Sequence, residues 1–220
     1  HSYSSAASDV YKRQVVFILL VALLRELRRR GVFEGGRQAP DLMRQLDLVG
    51  LATVCDVVPL RGINRAFVGQ GLKMLARRGN IGLACLADVS GLNTPPSGHT
   101  FGFMLGPRIN AGGRIGSSDL GVRLLSTQSG DEALGLAAAL DELNIRRREI
   151  EQEIRAHAMD MAAEQEGRPV VLVGHPDWHE GVIGIVAGRL REVFGKPACV
   201  VSFGADGAGK GSGRSIPGFR

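Results

Sequence analysis

From residue 130 to 166 the chain carries no proline and is built mostly from Ala, Leu, Glu and Arg, with Gly135 the single glycine inside it. These residue types lose little freedom on entering a helix. A helix of that length is several times the usual three turns, too long to pack inside one compact domain. It therefore reads as a connector, spanning 129–166, between a lobe before it and a lobe after it. Its charges at 146–153 suit a solvated face; a nucleic-acid contact through Arg146 to Arg148 is the alternative.

The two flanks differ in grammar. Residues 15–128 read as mostly helical. Pro40 and Asp41 open one helix, Pro59 ends it, and Asn64 caps another that runs to about Arg78. Residues 90–116 read as loop, rich in glycine with Pro95 and Pro96. Residues 167–220 alternate differently. Val170 to Val173 and Ala198 to Phe203 are β-branched strand candidates around a helix near 181–194, an order that suggests a parallel crossover. A Gly-rich loop comes after them. The expected class is α/β, with a mostly helical first lobe. Residues 1–14 are polar, Ser-rich and unlike the rest of the chain, and are set apart from the fold. The apolar run from Val15 to Leu24 is shorter than the roughly 20 residues needed to span a bilayer. It reads as a buried helix closed by Arg28 to Arg30, cations placed where the helix dipole favours them.

Composition narrows the function. Lys and Arg number 27 against 22 acids, a net +5 that suits a polyanionic partner. Aromatics are 5%, too few for a protein that stacks many bases on rings. Three scattered cysteines without a C-x-x-C pair argue against a disulfide framework or structural zinc, so a reducing cytoplasm is expected.

Four constellations could carry chemistry. In Thr53-Val54-Cys55-Asp56-Val57-Val58-Pro59 one acid sits among apolar neighbours, as a helix-end cap or as a paired or metal-bound carboxylate. In the stretch Leu105 to Gly116, Arg108, Asn110 and Arg114 lie among glycines. That is either a plain surface turn or a backbone-lined anion site with forked donors. Gly174 to Gly181 follows a strand and opens a helix, where α/β proteins hold ligands. His179 there could donate to a phosphate, or His175, Asp177, His179 and Glu180 could hold a metal. Gly204 to Lys210 has most of a P-loop. Gly211 stands where the magnesium-binding hydroxyl belongs, so an anion nest with Lys210, Ser212 and Arg214 is the better reading.

The order TVCDVVPL, GPRINAGGRIG, long helix, WHEGVIGIVAGRL, KGSGRSI resembles the RecJ exonucleases of the DHH phosphoesterase superfamily, over residues from about 15 to 220. The resemblance implies a DHH catalytic lobe and a DHHA1 lobe joined by the helix, of which this chain holds the end of the first and the start of the second. It implies hydrolysis of single-stranded DNA from the 5′ end with Mg²⁺ or Mn²⁺, and no small-molecule cofactor or membrane. Asp56 takes the place of a metal-binding aspartate, with Cys55 where alanine is usual. Arg108, Asn110 and Arg114 take the place of residues beside the active site. His179 matches the W-H-E-G histidine. Ser212, Arg214 and Ser215 match the loop that holds the 5′-terminal phosphate. The family's Asp-His-His and Asp-x-Asp are absent, so the chain as it stands is expected to lack turnover, because two-metal hydrolysis needs several ligands around each ion. A nanoRNA or cyclic-dinucleotide phosphodiesterase, or a non-catalytic nucleic-acid-binding module, are the alternatives.

Overall fold

A computed structural model describes residues 12–165 and 167–218. They form α1 (Lys12–Arg29), a 3-10 turn (Leu42–Gln45), α2 (Leu46–Cys55), α3 (Gly62–Ala76), α4 (Ile81–Val89), a π-helical turn (Thr100–Leu105), α5 (Gly106–Ile115), α6 (Leu120–Ser126) and α7 (Gly130–Ala163). Then come β1 (Val171–His175), α8 (Ile183–Phe194), β2 (Ala198–Phe203) and β3 (Gly209–Arg214). The residues fall into two compact units. Unit 1 holds those up to Asn110 together with Leu120–Asp141, and unit 2 holds Ala111–Asp119 with Glu142 onward.

Unit 1 is helical. Asp41 caps its 3-10 turn by accepting from the Met43 amide, as the Pro-Asp pair predicts. Asn64 does not cap α3, which begins two residues earlier; its amide donates instead to the Pro59 carbonyl at 3.2 Å. The core gathers Leu86, Phe101, Leu105, Leu124, Ala133 and Leu140, all fully buried. Close backbone approaches complete it, because a Cβ on Gly71 would run into the Leu46 carbonyl, and one on Gly82 into that of Leu124. The stretch expected to be loop through residue 116 turns helical at Ser97–Thr100 and stays so to Ile115. Its glycines answer to packing: a Cβ on Gly106 would strike Cys55 Sγ and the Phe101 carbonyl. Propensity favoured a loop, and tertiary contact overrode it.

The first helix corrects a second expectation. α1 takes in Lys12 to Gln14, and Gln14 is buried with its amide donating to Thr53 Oγ1 at 2.9 Å. The apolar run is not buried as expected. Phe17 and Leu24 are, and Phe17 packs edge-on to Phe67 at 5.3 Å. Val15, Val16, Ile18, Leu19, Leu20, Val21 and Leu23 lie 41–63% exposed. Among the described residues no helix is long and apolar enough to cross a membrane.

Unit 2 is a three-stranded sheet of order β1-β2-β3 with helices packed on it. β1 and β2 are parallel and joined through α8, the expected crossover. Val171, Val173, Ala198 and Val200 bury one face against Val182, Val186 and Leu190. The Gln165 side-chain amide pairs with both backbone groups of Leu172, standing in for a neighbour at the β1 edge. The Gly-rich segment is not a loop: residues 209–214 form β3, antiparallel to β2, with Ser212 opposite Val200 and Lys210 opposite Ser202. The P-loop-like stretch thus lies in a hairpin. Its turn is closed by Gly204 bonding Ala208 at 2.8 Å and by Asp206 accepting from the Ala208 amide, and no helix follows it among the described residues.

Candidate metal and phosphate sites

Asp56 stands at the C-terminal end of α2. The Val57 amide bonds to the Val54 carbonyl and the Val58 amide to that of Thr53, the paired pattern of a Schellman ending. That ending requires a left-handed residue, here Val57 with φ 55. A β-branched residue there stores about 1–3 kcal/mol of strain. Asp56 ion-pairs with Arg13 of α1, with its side chain 33% exposed. The two share the lining of a cavity of about 240 Å³ with Cys55, Gly106, Ile109 and Asn110. Two of the predicted residues, Asp56 and Asn110, therefore meet. Burial pushes the Cys55 thiol up to about 11, the nearby Arg13 charge opposing the rise. The thiolate is therefore not the ordinary form at neutral pH.

A divalent ion needs several oxygen or nitrogen donors. Here one carboxylate is present with one amide nearby, and among the described residues no group of three His, Cys, Asp or Glu could hold an ion. The described residues alone do not make a two-metal site; Asp56 is one candidate ligand, already matched to a cation.

Arg108 is buried in unit 1. Its Nε donates to Asp141 Oδ1 at 2.7 Å and its Nη1 to the Met104 carbonyl at 2.7 Å. It ties α5 to α7 and to the π-helical turn, and it is absent from the lining of the cavity around Asp56.

In unit 2 a cleft of about 490 Å³ is lined by Arg114, Glu180, Lys210, Ser212 and Arg214. Gly113, Gly181, Gly184 and Gly211 line it too, leaving main chain accessible. Two of these glycines are closely approached. A Cβ on Gly181 would run into the Arg114 carbonyl, and one on Gly184 would lie 3.1 Å from Ser212 Oγ and 3.2 Å from an Arg214 nitrogen. Arg114 donates to the Gly181 carbonyl at 3.1 Å, which holds α5 to the loop before α8. On β3, alternation sends Lys210, Ser212 and Arg214 to one face and the glycines to the other. Arg214 donates to Ser212 Oγ at 3.1 Å, so the hydroxyl and guanidinium are presented as one group. The cleft thus combines three cations, a hydroxyl and open backbone near a helix N-terminus, a donor set for a phosphate.

His179 supports this cleft without lining it: its Nδ1 accepts from the Gly181 amide at 3.1 Å, which leaves Nε2 as the ring's donor when neutral. Ser215 lies just past β3, its hydroxyl directed to the Ile216 carbonyl. Arg114, Ser212 and Arg214 are brought together; His179 is behind them and Ser215 beside them. Sequence reasoning missed one residue at each site, Glu180 in the unit 2 cleft and Arg13 beside Asp56 in unit 1. Glu180 was weighed only as a metal ligand, and Arg13 lay in the segment set aside. The period-two spacing of G-K-G-S-G-R was the signal that could have shown β3 as a strand.

No family model matches the chain. Curated relatives do. The single-stranded-DNA-specific exonuclease RecJ of Salmonella typhimurium is 42% identical over 215 residues, covering 93% of this chain. The chain is RecJ-like. RecJ of Escherichia coli is 41% identical over the same share, and that of Bacillus subtilis 38%. The chain spans 37%, 37% and 25% of those proteins' lengths. A crystal structure of exonuclease RecJ bound to manganese matches with a TM-score of 0.77 at 32% identity, covering 92% of this chain and 48% of that one. RecJ of Thermus thermophilus in complex with Mn²⁺ matches at 0.72 and 33% identity, covering 84% of this chain and 27% of that one. RecJ of Thermus thermophilus in complex with Mg²⁺ matches at 0.69 and 32% identity, covering 84% of this chain and 28% of that one. The resemblance read from the motifs is thus supported by overall identity and by fold.

Proposed function

We propose that this chain is the phosphate-gripping part of a RecJ-type exonuclease that hydrolyses single-stranded DNA from its 5′ end. The observation that supports it is the unit 2 cleft, where Arg114, Ser212 and Arg214 meet over open glycine backbone. A terminal phosphate carries about −1.5 to −2 charge at neutral pH against −1 for an internal diester, so such a cleft favours an end over the middle of a strand. Asp56, with Asn110 lining the same cavity, would supply one ligand to a Mg²⁺ or Mn²⁺ ion. The metal would lower the pKa of an attacking water and stabilise charge on the leaving oxygen. The described residues give it too few donors, so by themselves they would bind strands without cutting them. Arg108 serves as a positioning residue for α5. The half-buried free cysteines suit the cytoplasm.

The test compares a short single strand carrying a 5′-phosphate with its 5′-hydroxyl twin. The chain is expected to prefer the phosphate, and Arg214→Ala to remove that preference, as loss of charge-assisted bonds worth roughly 1.5–3 kcal/mol. Equal affinity for both ends in the unsubstituted chain would overturn the reading. Mononucleotide release by this chain in Mn²⁺ would show that the ligand set is not deficient.

A further inference from the structure

Of the residues lining the unit 2 cleft, one is acidic: Glu180. A carboxylate in a phosphate site repels the ligand, so its presence asks for a reason. Its Oε2 lies 2.5 Å from Lys210 Nζ, joining the loop before α8 to the exposed edge strand β3. Lys210 and Arg214 flank Ser212 on one strand face, each roughly 6.6–6.8 Å from it along the chain. A phosphate seated at Ser212 is therefore within reach of both long side chains. Arg214 is turned toward it, bonded to Ser212 Oγ, whereas Lys210 is occupied by Glu180.

We propose that Glu180 masks Lys210 and so limits how tightly the cleft holds a phosphate. The inference rests on the phosphate reading of the cleft and adds a residue that sets its strength. An enzyme that trims a strand stepwise must let go of each new end. Binding energy spent equally on ground state and transition state gives no gain in turnover. With Lys210 held, the cleft grips through Arg114 and Arg214 and can release. The pair is exposed, 73% for the lysine and 55% for the glutamate, so it can exchange without unfolding anything.

The experiment is a double-mutant cycle on the full chain, with fluorescence anisotropy of a 5′-phosphorylated oligothymidylate over a salt series. Glu180→Gln is expected to tighten binding about three- to five-fold, the scale of an exposed ion pair. It should also steepen the log–log salt slope by about 0.7, one further phosphate contact on a single strand. The double variant Glu180→Gln with Lys210→Gln should lose the gain and bind as the unsubstituted chain does. Unchanged or weakened binding in Glu180→Gln overturns the masking. So does a gain that survives in the double variant, because Glu180 would then act by plain repulsion. If the Arg214→Ala comparison behaves as expected while this cycle is flat, masking alone fails. If the chain shows no preference for a phosphorylated end, the underlying reading fails with it.

Discussion

Val57 holds a left-handed backbone that glycine would adopt without strain, and it does so directly after Asp56 with its side chain 86% exposed. The exposed valine gains nothing from packing, so Val57→Gly is expected to stabilise unit 1 by about 1 kcal/mol, the steric cost of a left-handed L-residue less glycine's entropy. Chemical denaturation of the two chains measures it; a loss of stability would show that the turn is unstrained. Asp47 presents the opposite case, a buried acid in the first turn of α2. Burial raises its carboxyl above the usual range, opposed by bonds from the Leu48 amide and its own. The folded state then favours the protonated form, so stability falls as pH rises from the ordinary carboxylate range through the raised value. Asp47→Asn, which keeps an acceptor for Leu48, is expected to raise the Tm at neutral pH, with the gain fading in acid. A gain independent of pH would remove the titration from the explanation.

Gly184 shows how an element carries a site. It sits in the first turn of α8, and a Cβ there would lie 3.1 Å from Ser212 Oγ and 3.2 Å from an Arg214 nitrogen, tight enough to push on both. Gly184→Ala is expected to leave α8 intact, alanine being the better helix former, while displacing the Ser212–Arg214 pair and weakening the preference for a 5′-phosphate several-fold. Unchanged preference would separate the helix from the site. The same element explains what was legible in the residues. The long helix was, because its composition is consistent from Gly130 to Ala163. So was the β1–α8–β2 crossover. β3 and α5 were not, since their glycines weaken local propensity and are chosen for close approach: Gly209 against Val201 and Phe203, Gly106 against Cys55. Arg108 was read as a ligand donor because a guanidinium among glycines has that chemistry. Its partner Asp141 lies 33 residues away, beyond any local pattern.

Over the whole molecule, the motifs, the fold and the RecJ relatives agree on the family resemblance, and the charge arrangement supplies the physical reason. Net charge is +5, yet Arg78, Arg108 and Arg147 are matched within the fold to Asp88, Asp141 and Glu151. In the unit 2 cleft Arg114, Lys210 and Arg214 outnumber the single acid, Glu180. The exposed apolar row on α1 departs most from the sequence expectation, since helical periodicity predicts which residues share a face but not whether that face is covered. The central claim is that the face of β3 carrying Ser212 and Arg214 receives a strand's terminal phosphate. A crystal structure of this chain with a 5′-phosphorylated trinucleotide tests it most directly. The terminal phosphate is expected within hydrogen-bond distance of Ser212 Oγ and the Arg214 guanidinium, over Gly184; a phosphate seated elsewhere, with that face bare, would contradict the claim.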